Sequence, residues 1–210
     1  MFSFLATTTA LSNTLLNLMF YPEAQREILA EVQQVLDNRS FQDLRQADLI
    51  ELKKLDSFIK ETQRLAPPSS LAVTREIIAP DGFTLSNGLH LPQGSYGAVA
   101  AKAIMHDPDI WGDPDKFDAM RFYKLRQRPG HNNMHQFVGQ SDLDVNFGAE
   151  NQACPGRFLV SYELKILVAY LLLNYDMKLA DDSKTAIGSD TLGAKPNLKI
   201  GFRKKQIRLN

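Results

Sequence analysis

The stretch from Phe147 to Phe158 holds the only cysteine among the 210 residues of the chain. A single cysteine cannot close an internal disulfide, so the fold has no framework of cross-links and depends on a buried core. Pro155 and Gly156 follow Cys154 and favour a turn that holds its sulfur at the start of the next helix. Helix N-termini stabilise negative charge, so this position favours ionisation of the Cys154 thiol to a thiolate. A bound metal ion would complete the deprotonation of the thiol. The alternative is a small buried apolar residue, which lone cysteines often are.

Length and composition describe a globular chain. The 210 residues are 44% hydrophobic and carry a formal net charge of +0 at pH 7. A chain of this length can bury one sizeable core, and its balanced charge gives no indication of nucleic-acid binding. The longest clean apolar run, from Ile166 to Leu173, is far below the roughly 18 residues that a membrane-spanning helix needs. We therefore expect neither a transmembrane nor a targeting segment in this chain.

Apolar residues recur at helical spacing over much of the chain, and prolines mark where several helices begin or end. The predicted helices are Phe4 to Phe20, one that begins at Pro22, a short one capped by Ser40 and Asp43, Leu52 to Leu65, and a final one carrying Leu164, Leu167, Val168, Leu171 and Leu172. Short strands separated by Asp-Gly and Asn-Gly turns lie between the last two helices. The predicted strands are Val73 to Ile78, Phe83 to Leu85, Leu89 to Leu91 and Tyr96 to Ala101, followed near the C-terminus by Asp176 to Leu179 and Lys199 to Phe202. The predicted fold class is mainly α with small antiparallel β-sheets (α+β).

The run around Cys154 resembles the haem loop of cytochrome P-450, whose pattern is F-x-x-G-x-R/H-x-C-x-G. Phe147 stands seven positions before the cysteine and Gly156 two after it, as in that pattern. The resemblance implies haem b as the cofactor, with Cys154 as the axial thiolate ligand of its iron and Phe147 and Gly156 as cofactor-binding residues. The chain departs from the pattern at Glu150, where the family has Gly, and at Gln152, where it has a basic residue that pairs with a haem propionate.

The stretch from Leu55 to Leu65, within the helix predicted from Leu52 to Leu65, resembles the K helix of the same family over its whole length. Glu61 and Arg64 are neighbours on one helical face and can pair. The resemblance implies that Arg121 completes a structural triad with them, although Ala119 stands where the family's P-x-R-F pattern has Pro. The alternative for the helical pair is a solvated surface salt bridge, which is the statistical default.

The segment after this helix carries the residues that the resemblance assigns to substrate and cofactor. The substrate-lining residues would be Ser69, Ser70, Leu71, Ala72 and Val73. Arg75 would pair with a haem propionate, the alternative being an exposed strand residue. A small, mostly apolar lining of this kind favours a lipophilic substrate.

The first helix resembles the end of the family's oxygen-binding helix, which carries an acid-alcohol pair. Counting back from Pro22 without a gap puts the acid position on Leu5, the first threonine on Ala6 and the second on Thr7. Thr7 is therefore the candidate hydroxyl for relaying protons to bound oxygen, with an ordinary helix-packing threonine as the alternative.

The resemblance covers essentially the whole chain and implies one partial domain over residues 1–210, the C-terminal half of the cytochrome P-450 fold. The fungal secondary-metabolite branch is the most similar. It implies a monooxygenase that uses O2 and electrons from an NADPH-cytochrome reductase to oxidise a lipophilic small molecule, at the endoplasmic reticulum membrane surface for the full-length family type. The family's N-terminal half, including its membrane anchor, has no counterpart in this chain.

Two further interpretations remain open at this point. The first is a truncated, catalytically inactive fragment of such an enzyme, which the altered acid, alcohol and loop positions favour. The second is a cysteine nucleophile at Cys154 with His131 or His135 as its base, although the sequence provides no orienting residue or oxyanion donors. The two histidines also have the i, i+4 spacing of metal ligands, but the adjacent Pro129-Gly130 places them in a loop.

Overall fold

A computed structural model describes residues 2–180 and 199–206 of the chain. The helices are α1 Phe2–Phe20, α2 Pro22–Leu36, α3 Gln46–Glu51, α4 Lys53–Leu65, α5 Ala101–Met105, α6 Pro108–Trp111, α7 Arg121–Arg126 and α8 Arg157–Asn174, with 3-10 turns at Phe41–Asp43 and Glu150–Gln152. The strands are β1 Ala72–Glu76, β2 Phe83–Thr84, β3 His90–Leu91, β4 Tyr96–Val99, β5 Tyr175–Leu179 and β6 Ile200–Lys204. The predicted fold class, mainly α with small antiparallel sheets, is confirmed.

Local signals account for most helix boundaries. Pro22 occupies the first turn of α2, where its missing N–H is not needed, and Asp37 ends that helix in the left-handed conformation at φ 46°. Ser40 and Asp43 form the predicted capping box around the short turn that follows. The helix predicted from Leu52 is confirmed, beginning one residue later.

The strands form three separate antiparallel pairs, β1 with β4, β2 with β3, and β5 with β6. The strand predicted to reach Ala101 ends at Val99, because Ala101 begins and Met105 ends the unpredicted helix α5, on which both residues are buried. The strand predicted from Val73 to Ile78 ends at Glu76 in β1, and Ile78 is 78% exposed. A helix as short as α5 has too few residues for a helical repeat of apolar residues to be recognised in the sequence.

The core lies where α1, α2, α4 and α8 pack together. Its buried members include Leu18, Ile28, Leu55, Phe58, Leu164 and Val168. α4 is buried on nearly every side, including most of its polar residues. Among the helices of the described ranges, none has the length and apolar character required to cross a membrane.

Glu61 of α4 is fully buried and lies at the centre of a charge network. Its carboxylate accepts from Arg64 Nε at 2.8 Å, from Arg121 Nε at 3.1 Å and from the N–H of Asp118 at 3.0 Å. Arg64 is 1% exposed and also donates to the carbonyl of Met105 at 2.7 Å. The three residues named from the sequence are therefore in contact, and together they join α4 to the irregular segment between α6 and α7.

A second network on α4 was not predicted. Asp56 pairs with Lys165 of α8 at 2.6 Å and with Arg126 of α7 at 3.5 Å, and it accepts from the N–H of Phe137 at 2.8 Å. All three charged side chains are at most 5% exposed. Nothing local in the sequence marks this aspartate as buried, because its partners come from distant segments.

We expect Arg64→Ala to lower the free energy of unfolding by about 3–5 kcal/mol, because it leaves the buried Glu61 with a missing partner. A loss of that size abolishes folding of a domain whose unfolding free energy lies at the lower end of the usual range of about 5–15 kcal/mol. The matched control is Arg203→Ala, since Arg203 pairs with Asp176 while 84% exposed; it should cost less than about 1 kcal/mol. Equal thermal melting curves for the two variants would contradict the prediction.

Candidate functional site

Cys154 is a free, partly buried cysteine at the end of a closed loop. Its N–H donates to the carbonyl of Phe147 at 2.7 Å, which joins the two ends of the loop. Gln140 Nε2 donates to the carbonyls of Phe147 at 3.1 Å and Gly148 at 2.7 Å. The ring of Phe147 packs edge-on against the buried ring of Phe137 at 5.2 Å. The loop is therefore held to the core by both backbone and side-chain contacts.

The sulfur lies beside the start of α8, as predicted. Gly156 caps this 18-residue helix, and a Cβ built on Gly156 would stand 4.0 Å from Cys154 Sγ. The N–H of Arg157 donates to the Cys154 carbonyl at 3.4 Å, and its Nη1 donates to the same oxygen at 3.0 Å. The carbonyl of Cys154 is thus fixed from the helix side, while the loop fixes its N–H.

Two residues of the loop adopt the left-handed backbone conformation. Gly148 has φ +79°, and a Cβ there would come within 2.4 Å of the Gln152 carbonyl, so the turn requires glycine. Glu150 has φ +46° although it carries a side chain. This is the position at which the haem-loop pattern has Gly, so the substitution costs the loop conformational energy. Gln152 is exposed and provides no cation for a propionate.

The residues predicted to face substrate follow the end of α4, and two of the five are exposed while three are partly buried. Ser69 is exposed and its hydroxyl donates to the carbonyl of Leu71 at 2.6 Å, while Leu71 itself is 58% exposed. Ser70 and Ala72 are partly buried. Val73 is also partly buried, and it has φ +52°, an uncommon conformation for a β-branched residue, next to a register shift in β1.

The predicted propionate and proton-relay residues lie on β1 and α1. Arg75 is exposed, pairs with Gly97 in the β1–β4 ladder and donates to the carbonyl of Thr74 at 2.9 Å. Thr7 is partly buried on α1, and Leu5 at the acid position is 66% exposed. No hydrogen bond of the described residues joins Arg75 to the cysteine loop.

His131 and His135 contact each other. Their rings are stacked with centroids 5.1 Å apart, and His131 Nδ1 lies 2.9 Å from His135 Nε2. Burial lowers the pKa of His135, and the positive charges of His131, Lys60, Arg128 and Arg126 lower it further. Within the described ranges, neither imidazole hydrogen-bonds to Cys154, and no cluster of three or more His, Cys, Asp and Glu forms a metal site. The predicted loop position of this pair is confirmed, and nothing here resembles a nucleophile with its base.

The cysteine loop suits a haem on its thiolate side. A free sulfur at a helix N-terminus is the kind of ligand that haem iron binds in thiolate proteins, and the glycine at position 148 keeps the turn free of a side chain. The exposed guanidinium of Arg75 makes no ion pair with another described residue, so it remains available to an anionic group. These residues fit the cofactor that the sequence indicated.

We expect Glu150→Gly to raise the free energy of unfolding by about 0.5–1 kcal/mol, because a side chain in the left-handed region costs about 1–2 kcal/mol and the added chain entropy of glycine offsets part of the gain. The same substitution at the exposed Glu163, inside α8, should lower it by about 1 kcal/mol. Denaturant titration of both variants measures whether the free energy of unfolding rises or falls at each position. A loss of stability at both positions would show that Glu150 is unstrained.

Acid should destabilise the protein through His135. The folded chain holds this imidazole neutral to a lower pH than the unfolded chain does, so on acidification below about 6.5 the unfolded chain binds the proton first and stability falls. We expect the melting temperature of His135→Asn to fall less between pH 7 and pH 5 than that of the parent. Asn suits the site because it tolerates the left-handed conformation that His135 adopts at φ 60°. Parallel pH profiles would contradict this assignment.

Comparison with known proteins agrees with these observations. The family profile described as Cytochrome P450 matches residues 4–201. Cytochrome P450 monooxygenase ataF of Aspergillus terreus is 40% identical over 172 residues, covering 82% of this chain and 35% of that protein. Cytochrome P450 monooxygenase pyr3 of Aspergillus fumigatus is 41% identical, covering 82% of this chain and 32% of that protein. The chain thus spans about a third of the length of the curated relatives it matches.

The fold is also that of a solved structure. Retinoic acid bound cyanobacterial CYP120A1 superposes with a TM-score of 0.73 at 24% identity, over 95% of this chain and 43% of that one. At this identity the likeness concerns the fold alone. The profile match extends over most of the described residues, from α1 into β6. The chain therefore belongs to the cytochrome P450 family.

Proposed function

We propose that this chain is the cysteine-ligand part of a haem-dependent monooxygenase, with Cys154 as the axial ligand of the iron. The observation that carries the proposal is a free sulfur fixed between a closed loop and the N-terminus of α8, in a chain of the cytochrome P450 family. Haem is the cofactor of that family, and when bound it activates O2 so that one oxygen atom enters an organic substrate. The relatives that match are named monooxygenases, which supports this reaction.

The residues of the chain would share the remaining work. Cys154 binds the iron, and the packing of Phe147 on Phe137 keeps its loop in place. The exposed guanidinium of Arg75 would pair with a haem propionate through a charge-assisted hydrogen bond. The hydroxyl of Thr7 would be the group that relays protons during oxygen activation. The structural triad around Glu61 holds the scaffold on which these groups stand.

The substrate proposed is a lipophilic small molecule of secondary metabolism. Leu71, Ala72 and Val73 offer apolar surface next to the end of α4, and Leu71 is 58% exposed. The hydroxyls of Ser69 and Ser70 offer hydrogen bonds at the same place. The partners proposed are O2 and an NADPH-cytochrome reductase at the endoplasmic reticulum surface. One shared core of α1, α2, α4 and α8 supports treating residues 1–210 as a single partial domain.

A second candidate is a catalytically inactive member that keeps the scaffold. The acid-alcohol pair of the oxygen helix is replaced by Leu5 and Ala6, and Leu5 is 66% exposed. Leu5 has no carboxyl group, so the residue at the acid position cannot supply a proton. The strained Glu150 and the uncharged Gln152 would also weaken haem binding.

Carbon monoxide added to the reduced, haem-loaded chain separates the candidates. We expect the red-shifted Soret band of thiolate ligation in the parent and its loss in Cys154→Ala, with an unchanged melting curve in the variant. A band that persists in Cys154→Ala would overturn the ligand assignment.

Turnover is measured on the same samples with a reductase and NADPH. We expect no hydroxylated product from this chain, because Leu5 and Ala6 stand at the acid and first alcohol positions and neither side chain can relay a proton. Steady NADPH-dependent product, lost in Cys154→Ser, would instead make the chain a working enzyme and remove the inactive candidate.

A further inference from the structure

Lys60 lies beside Glu61 on α4 but contacts a different part of the chain. Its Nζ pairs with Asp144 Oδ2 at 2.5 Å and donates to the carbonyl of Gln136 at 2.8 Å. The two charged side chains are only 7% and 9% exposed. α4 therefore holds both ends of the described segment 136–144, which contains neither a helix nor a strand.

The same segment holds the cysteine loop. Gln140, near its middle, donates through Nε2 to the carbonyls of Phe147 and Gly148. The Phe147 carbonyl also accepts the N–H of Cys154 at 2.7 Å. A continuous set of contacts therefore runs from α4 through the segment to the backbone of the cysteine.

We propose that the Lys60–Asp144 ion pair and the amide of Gln140 position Cys154. The inference rests on the proposed function, in which this sulfur binds the haem iron. An irregular segment has no ladder of backbone hydrogen bonds to fix its register, so side chains must fix it. A buried ion pair does this well, because neither charge can leave its partner without a large desolvation penalty. None of the three residues touches the sulfur, so they act through the loop.

The test removes the Lys60–Asp144 ion pair without leaving a buried charge unpaired. Lys60→Met combined with Asp144→Leu replaces both partners by apolar groups, a change that folded proteins tolerate. Gln140→Leu removes the amide from the other side. The rate at which an aromatic disulfide reagent labels Cys154 in the native full chain reports how often the loop opens. We expect both variants to be labelled about tenfold faster than the parent.

The haem-loaded form provides a second readout that stability alone would not change. In both variants, under conditions where the melting curves show a folded chain, the thiolate-type fraction of the carbon monoxide complex should fall. The matched control is Lys54→Met with Glu27→Leu, which removes a more exposed ion pair between α4 and α2. It should leave the labelling rate and the spectrum as in the parent.

The outcomes separate the two proposals. Parent-like labelling in folded Lys60→Met/Asp144→Leu and in Gln140→Leu would overturn the positioning role. Faster labelling in both variants supports that role, even if the parent itself lacks a thiolate-type band. Such a missing band would contradict the proposed function alone.

Discussion

The carboxylate of Glu61 has no exposed surface, and the irregular middle of the chain depends on how it is paired. Two guanidinium groups and the N–H of Asp118 surround it. Because α4 is buried on most sides, its other polar side chains must also find partners inside the protein. Some of these partners are charged side chains of other segments, as for Asp56, and others are loop backbone groups: Ser57 donates to the carbonyl of Ala119. One buried helix thereby provides hydrogen-bond partners for segments that have little regular structure of their own.

The cysteine loop is built on that arrangement rather than on a sheet. Its N-terminal side is tied through Gln140 to a segment that α4 holds, and its C-terminal side continues into α8. Such a loop tolerates local strain because its surroundings fix its shape. Glu150 and Val73 both adopt left-handed conformations, the first in the loop and the second at the proposed substrate-facing strand. Strained residues thus occur on both parts of the proposed site.

Much of this could be predicted from residues that are close in sequence. The capping box at Ser40, the proline at the start of α2 and the i, i+3 pair on α4 are local features, and the structure contains each of them. The networks of Asp56 and Lys60 could not be predicted in this way, because Lys60 and Asp144 are 84 residues apart. Short helices such as α5 were missed as well, since burial rather than apolar period specifies them.

The sequence by itself determined the family, the mainly α architecture and the cysteine at a helix start, because each follows from local spacing and from a motif around Cys154. Only the tertiary structure decided which charges are buried and which partners neutralise them. The physical reason is that burial is a property of the assembled core. From the sequence alone a lysine on a helix is predicted to be exposed to solvent, and only the packing of other segments against it shows that it is buried. The left-handed backbone of Glu150 likewise belongs to the closed loop, whose ends are joined by the bond from the N–H of Cys154 to the carbonyl of Phe147.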